Sequence, residues 1–337
     1  MRLPFRGRES NHAAIMNTHP LSRRSFLQHS AGLVLSAGLL PLTGCVRRQK
    51  GFPVACRTAD LKQTGAPDAW AAMKTVGVNT VEADVDINLA CAGLFHPTKK
   101  YSLDAPDNIR ALKDDIAEAG ATISAFLMSN RFDERLDDEL AWMKKLVKVA
   151  PEVGVNVIRI DVVSRKIKGD DFLAFAIKTC KQLCDIAKDT PIRFGVENHG
   201  ATTNDPAFLE KLFDGVGSTK LGLTLDTGNF YWFGHPLEDI YKICEKFASR
   251  VYHTHCKSIK YPDDQKNVRR KMGFEYAKFN CPVYDGDVDY KRVAAILRRA
   301  NYANDLCIED ESLRKFPEAE RVEVLKKEVA WLQQAQA

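Results

Sequence analysis

From Phe52 to the carboxyl terminus, short runs of β-branched and apolar residues alternate eight times with amphipathic stretches long enough to form helices. No other feature of the sequence constrains the fold as strongly. Parallel strands can pair only if a crossover of a dozen or more residues joins them, so this rhythm predicts a parallel sheet with helices outside it. The predicted strands are Pro53–Arg57, Asn79–Val85, Ala121–Met128, Val155–Val163, Ile192–His199, Leu221–Asn229, Arg250–Lys257 and Asp305–Glu311. Helical periodicity is clearest over 104–119, where Ile109, Leu112, Ile116 and Ala119 share a face, and over 136–149, with Leu140, Met143, Leu146 and Val147. A last helix over 317–333 closes the series.

Eight such units suit one (β/α)8 barrel, whose usual length is about 250 residues. An open doubly wound sheet would favour a glycine-rich phosphate turn after its first strand, and Arg57-Thr58-Ala59-Asp60-Leu61-Lys62 has no glycine. The predicted fold class is therefore α/β, a (β/α)8 TIM barrel occupying residues 52–337. The stretch 258–287 shows no clear element, and a loop of that length usually covers or completes a site.

The amino-terminal segment reads differently. Ser22-Arg23-Arg24-Ser25-Phe26-Leu27-Gln28 precedes an apolar stretch over 31–40 and resembles a twin-arginine export signal. The stretch falls well short of the roughly 20 apolar residues a membrane-spanning helix needs. Leu42-Thr43-Gly44-Cys45 follows and resembles a lipobox, in which cleavage frees Cys45 for lipidation. Residues 1–45 are thus expected to be the signal and 46–51 a short linker, with Met16 an alternative start. The expected location is the periplasmic side of a bacterial membrane, held there by lipid on Cys45 alone.

Charge narrows the partners. The chain has 49 Lys and Arg against 44 Asp and Glu, a formal charge of +5. Residues 1–44 hold five Arg and one acid, so the rest of the chain carries only about +1. Phosphate-backbone binding usually needs a broad basic footprint, so no nucleic-acid partner is expected. A small molecule is, and self-association into a homo-oligomer is left open. With the lipobox Cys45 set aside, no pair among the other eight cysteines has zinc-ribbon spacing, and Cys180 and Cys184, one helical turn apart, are read as packing residues.

Strand parity separates core from chemistry. Side chains alternate across a strand, so Ile192, Phe194 and Val196 share one face while Gly195, Glu197 and His199 share the other. By the same division Leu221, Leu223 and Leu225 oppose Thr224 and Asp226, and Val81, Ala83 and Val85 oppose Glu82 and Asp84. His253, His255 and Lys257 share a parity, as do Cys307, Glu309 and Glu311. Charged groups pointing into a barrel are costly unless paired, hydrated or bound to metal. Glu197, Asp226, His255 and Glu309 come from four strands in a row, at the carboxyl ends where barrel enzymes carry their sites. Three carboxylates and an imidazole suit one divalent cation, with Mn²⁺ favoured and Mg²⁺, Co²⁺ or Zn²⁺ as alternatives.

These residues stand in the strings Gly195-Val196-Glu197-Asn198-His199, Leu223-Thr224-Leu225-Asp226-Thr227-Gly228-Asn229, Tyr252-His253-Thr254-His255-Cys256-Lys257 and Cys307-Ile308-Glu309-Asp310-Glu311. Together, and in this order, they resemble the xylose isomerase-like barrel superfamily of sugar-phosphate isomerases and epimerases. The resemblance implies that Glu197, Asp226, His255 and Glu309 hold the metal, and that Glu197 and Glu309 also act as acid and base. His199, Lys257 and Asn229 are expected to contact substrate. Glu82 is expected either to contact substrate or to pair with Arg159, and His253, one layer deeper, to orient its neighbours. Two positions depart from the family's usual pattern. Asn229 stands where a His is common, and Ser258 where an Asp is common.

The expected function is a metal-dependent isomerase or epimerase acting on a sugar or keto-sugar outside the cytoplasm. Elimination or hydration of a 3-keto-glycoside through the same enediolate is an alternative, as is a sugar-binding lipoprotein without catalysis. An endonuclease IV-like activity is disfavoured, because no Asp-x-His follows the seventh strand. Mass spectrometry of native protein is expected to find an amino terminus at lipidated Cys45. An unmodified terminus that keeps Arg23 and Arg24 would overturn both the signal and the lipobox.

Overall fold

The computed structural model describes residues 51–336, so the signal, the lipobox, Cys45 and nearly all of the linker lie outside the described residues. All eight expected strands form: β1 Val54–Arg57, β2 Thr80–Asp84, β3 Thr122–Leu127, β4 Val157–Ile160, β5 Arg193–Glu197, β6 Leu221–Asp226, β7 Val251–His255 and, after a small hairpin, β10 Leu306–Ile308. They pair in parallel in the order β10-β1-β2-β3-β4-β5-β6-β7. The barrel closes just beyond β7, where Cys256 N donates to Cys307 O at 2.6 Å and Glu309 N donates to Cys256 O at 3.1 Å. Helices Pro106–Glu118, Leu136–Val149 and Glu318–Ala335 match the expected periodic segments to within two residues.

Several strands end earlier than their apolar patterns suggest, because the chain leaves the ladder where the site begins. Leu221–Asn229 stops at Asp226, whose side chain accepts from Asn229 N and so caps a helix over Thr227–Trp232. The outward residues Ile158, Ile160, Phe194, Val196, Leu223 and Leu225 are buried beneath the helices, alongside Leu112, Met143 and Leu146. Burial of each such side chain contributes roughly 1.5–3 kcal/mol, which fixes the register. A slip of one residue would exchange Val196 with Glu197 and put an unpaired charge among the helices. Gly195 is required by close approach, since a Cβ there would lie 2.3 Å from Thr224 Oγ1.

The long segment after β7 is organised rather than irregular. Strands β8 Ser258–Ile259 and β9 Asn280–Cys281 pair antiparallel, and a short helix spans Tyr276–Phe279. The guanidinium of Arg270 lies 4.4 Å and 4.3 Å from the ring centres of Tyr231 and Tyr261, pinning the segment to the helix after β6. The eight described cysteines are all free thiols, and Cys180 and Cys184 lie on the buried face of helix Gly169–Ile186, as packing residues should. No helix among the described residues is long and apolar enough to cross a membrane.

One group of acids lies buried behind β10. Burial raises the carboxyls of all three of Asp60, Asp310 and Glu328; Asp310 raises Asp60 further, and Asp310 and Asp60 both raise Glu328. Asp310 Oδ2 and Glu328 Oε2 have no hydrogen-bond partner. Burial pushes Asp60 up to about 8, although Arg57 opposes the change. A carboxyl raised in the folded state gives stability that is complete below its ordinary value of 3.8 and is lost as pH rises through its folded value. The urea midpoint is therefore expected to fall between pH 5 and pH 8.5. Asp60→Asn should reduce that fall, and an unchanged difference between the two pH values would contradict the assignment.

Candidate metal centre

The sheet register brings the expected ligands together. Asp226 pairs with His255 across β6 and β7, and Glu197 with Thr224 across β5 and β6. Glu309 follows β10 at the closure. Glu197, Asp226, His255 and Glu309 are all buried, and each offers one ligand atom within 4.8 Å of the others. Two of these positions are set by Asn198. Its Oδ1 accepts from Asp226 N at 2.8 Å and its Nδ2 donates to Asp226 O at 2.7 Å, locking the end of β5 to the end of β6.

The two glutamates are held alike. Glu197 Oε2 pairs with Arg159, while Oε1 accepts from Asn229 Nδ2 at 3.1 Å and lies 3.1 Å from His255 Nδ1. Glu309 Oε1 pairs with Arg57, while Oε2 lies 2.9 Å from Lys257 Nζ and 3.3 Å from His255 Nδ1. Each carboxylate thus has one oxygen fixed by an arginine and turns the other toward the same imidazole nitrogen.

Electrostatics follows from this arrangement. Burial would raise Glu309, but Lys257, His255 and Arg57 outweigh it and hold the carboxyl well below its usual range. Burial would likewise depress His255, yet Glu82 and Glu309 carry it up to about 10. Asp226 moves the other way, to about 6, because burial and Glu309 outweigh Lys257. Its Oδ2 lies 3.0 Å from Lys257 Nζ, close enough for an ion pair, but the angle does not make a hydrogen bond and the oxygen has no other partner. A buried carboxylate oxygen left without a hydrogen bond, facing two further carboxylates and an imidazole, fits a divalent cation.

The other expected residues occupy distinct places. Asn229 is in the site, on Glu197. Lys257 is buried, with its amine also 2.7 Å from Glu311 Oε1. Its stem passes so close to Gly228 that a Cβ there would meet Lys257 Cγ at 2.3 Å. His199 is on the rim, its side chain 49% exposed, with Nδ1 3.0 Å from Asp161 Oδ1. Glu82 lies beneath His255 with its side chain 1% exposed. The alternative role given to Glu82, pairing with Arg159, is not what the structure shows. Arg159 binds Asp161 and Glu197 instead, and Glu82 binds Arg57, its neighbour in the β1–β2 register. His253 contacts Glu82 and Asp305, in keeping with an orienting role.

Sequence reasoning missed Arg57, Asn198, Glu311 and Tyr276, whose hydroxyl donates to Glu311 Oε2 at 2.6 Å. Arg57 was within reach, because it ends β1 at the level where the other strands end in acids. Tyr276 belongs to the hairpin segment and carries no strand parity. A cleft of about 660 Å³ lies between helices Ala69–Val76 and Pro106–Glu118, lined by Trp70, Met73, Val78 and Ala121, and shares no residue with this cluster.

Elemental analysis of purified protein is expected to find one divalent ion per chain. Asp226→Ala removes a ligand while leaving both glutamates, so the ion should be lost. Normal metal content in that variant would place the site elsewhere.

Residues 70–335 match the protein family described as xylose isomerase-like TIM barrel. An inosose dehydratase from Clostridium tetani is 29% identical over 268 residues, covering 73% of this chain and 88% of that protein. Among solved structures, an IolI protein with a bound zinc atom superposes with a TM-score of 0.59 at 15% identity, covering 85% of this chain and 99% of the other. The 3-keto-D-glucoside 4-epimerase YcjR from E. coli superposes with a TM-score of 0.60 at 12% identity, covering 84% and 99%. With the matching region spanning most of the barrel, this chain belongs to the xylose isomerase-like TIM barrel family.

Proposed function

We propose that the protein is a divalent-metal-dependent enzyme that abstracts a proton from the carbon next to the carbonyl of a keto-sugar or keto-polyol, with Glu197 and Glu309 as the proton-transfer groups. The observation that carries this proposal is the matched pair of glutamates, each with one oxygen clamped by an arginine and the other turned toward His255 Nδ1. Paired carboxylates on two sides of one opening can remove a proton from one face of a substrate and deliver a proton to the other. A divalent ion held by Glu197, Asp226, His255 and Glu309 would polarise the substrate's oxygens and stabilise the negative charge that develops on them.

The residues of the chain supply the rest. One glutamate takes the proton, and the electron pair of the broken C–H bond moves onto the carbonyl oxygen to give an enediolate. Return of a proton to the opposite face yields an epimer, and return to the neighbouring carbon yields an isomer. Loss of a β-hydroxyl, which leaves as water with one added proton, yields an unsaturated ketone. The dehydratase outcome is favoured by the Clostridium tetani relative, which aligns over 88% of its length and is named for that reaction on inosose. Asn229 donates to Glu197 and can hold a hydroxyl but cannot shuttle a proton, which leaves proton transfer to the two glutamates.

The substrate is taken to be unphosphorylated. Among the described residues, Arg57, Arg159 and Lys257 pair with the carboxylates of the cluster, so these three are already engaged and are not left to receive a phosphate. Such a substrate accords with export of the chain and anchoring through Cys45, where sugar phosphates are scarce.

The test is incubation of metal-loaded protein with inosose, ketoses and 3-keto-glycosides in deuterated water. Deuterium in the carbon framework without change of formula identifies isomerisation or epimerisation, and loss of one water identifies elimination. Glu197→Gln and Glu309→Gln should each lower the rate by roughly 10²-fold or more while some metal stays bound. Neither exchange nor water loss across the panel would overturn the proposal and favour a sugar-binding protein.

A further inference from the structure

We propose that Glu82 is the positioning residue of the metal centre: it fixes the proton of His255 on Nε2 and so presents Nδ1 to the cation, and His253 with Asp305 holds Glu82 in place. The inference rests on Glu197, Asp226, His255 and Glu309 being a metal centre.

Glu82 lies below the cluster with both oxygens 3.0 Å from His255 Nε2. Its Oε1 is also 3.0 Å from His253 Nε2, and its Oε2 is 3.2 Å from Arg57 Nε. The other nitrogen of His253 lies 2.8 Å from Asp305 Oδ1. Asp305 in turn accepts from Tyr302 OH at 3.2 Å and from Ser124 Oγ. Glu82, His253, His255 and Asp305 are all buried, so water does not compete for these bonds. From the barrel interior toward its mouth the order is carboxylate, imidazole, carboxylate, imidazole, and then the two glutamates that face Nδ1.

An imidazole that ligates a cation through one nitrogen must carry its proton on the other, and the acceptor of that proton sets both tautomer and ring angle. Here the acceptor at Nε2 is Glu82. The deeper group of Glu82, His253 and Cys307 also brings potential ligand atoms within 4.8 Å, which raises the alternative of a second cation site. Its polar atoms are already spent, however. Both His253 nitrogens face carboxylates, and both Glu82 oxygens face cationic or N–H partners. In the upper group Asp226 Oδ2 has no hydrogen bond at all. The lower layer is therefore support for the upper one, and Glu82 contributes orientation rather than contact with substrate.

The test titrates Zn²⁺ into the metal-free protein by calorimetry and reads the ring ¹⁵N shifts of His255 in the complex. Wild type should bind one Zn²⁺ per chain, with His255 protonated at Nε2 and ligating through Nδ1. Glu82→Gln should weaken Zn²⁺ binding by roughly 10- to 100-fold while circular dichroism shows the fold retained. Asp305→Asn leaves Glu82 in reach of His255 and should cost less, with the proton still on Nε2. Wild-type affinity in the Glu82→Gln variant overturns the inference alone, as does ligation of wild type through Nε2. Absence of Zn²⁺ binding by wild type overturns the metal centre and the inference together. If Glu82→Gln fails to fold, the wild-type spectrum decides by itself.

Discussion

The structure depends on how the acids at the mouth of the barrel are compensated. Asp84, Asp161, Glu197, Asp226, Glu309 and Glu311 crowd around one opening with Glu82 just beneath it, and two like charges about 4 Å apart repel by roughly 4 kcal/mol at an effective dielectric constant of about 20. The strands supply the answer at intervals. Arg57 at the end of β1 bridges Glu82, Asp84 and Glu309, Arg159 on β4 bridges Asp161 and Glu197, and Lys257 after β7 bridges Asp226, Glu309 and Glu311. Each cation therefore ties at least two strand ends together. The bonds that make the charges tolerable are also the bonds that shape the site.

That dual role explains why both sets of side chains come from the same short segments. One parity of each strand packs against the helices and gives the barrel its stability, while the other supplies acids, imidazoles and their counter-ions. Core packing sets the register, and the register sets which charges meet. Arg57 finds Glu82 because those residues are partners across β1 and β2, and Asp226 finds His255 because of the shift in register between β6 and β7 at Leu223 and Thr224. The closure at Cys256 then delivers Glu309 to the same opening.

Much of this was legible in the sequence. Period-two patterning marks all eight strands, and their charged parity singles out Glu197, Asp226, His255 and Glu309. What escaped was pairing between strands, which parity does not specify. Pairing with Arg159 is one of two roles the sequence leaves open for Glu82, whereas position around the barrel gives Arg159 to Glu197 and Glu82 to Arg57. The hairpin segment was opaque for a different reason. Its order comes from Arg270 stacked on Tyr231 and Tyr261 and from a two-residue strand pair, features with no periodic signature. Tyr276 consequently had no predicted place.

Asn198 gives the spacing of the first two acids an unusual origin. Its side-chain amide does the work of one more peptide unit laid crosswise, accepting from the N–H and donating to the C=O of Asp226 as a neighbouring strand would. The separation of Glu197 from Asp226 is thereby referred to the rigid dimensions of an amide group instead of to the bulk of the side chains beneath. Swelling or contraction of the barrel wall from changes in its apolar layer would be absorbed elsewhere around the ring, and the gauge between these two carboxylates would stay the same.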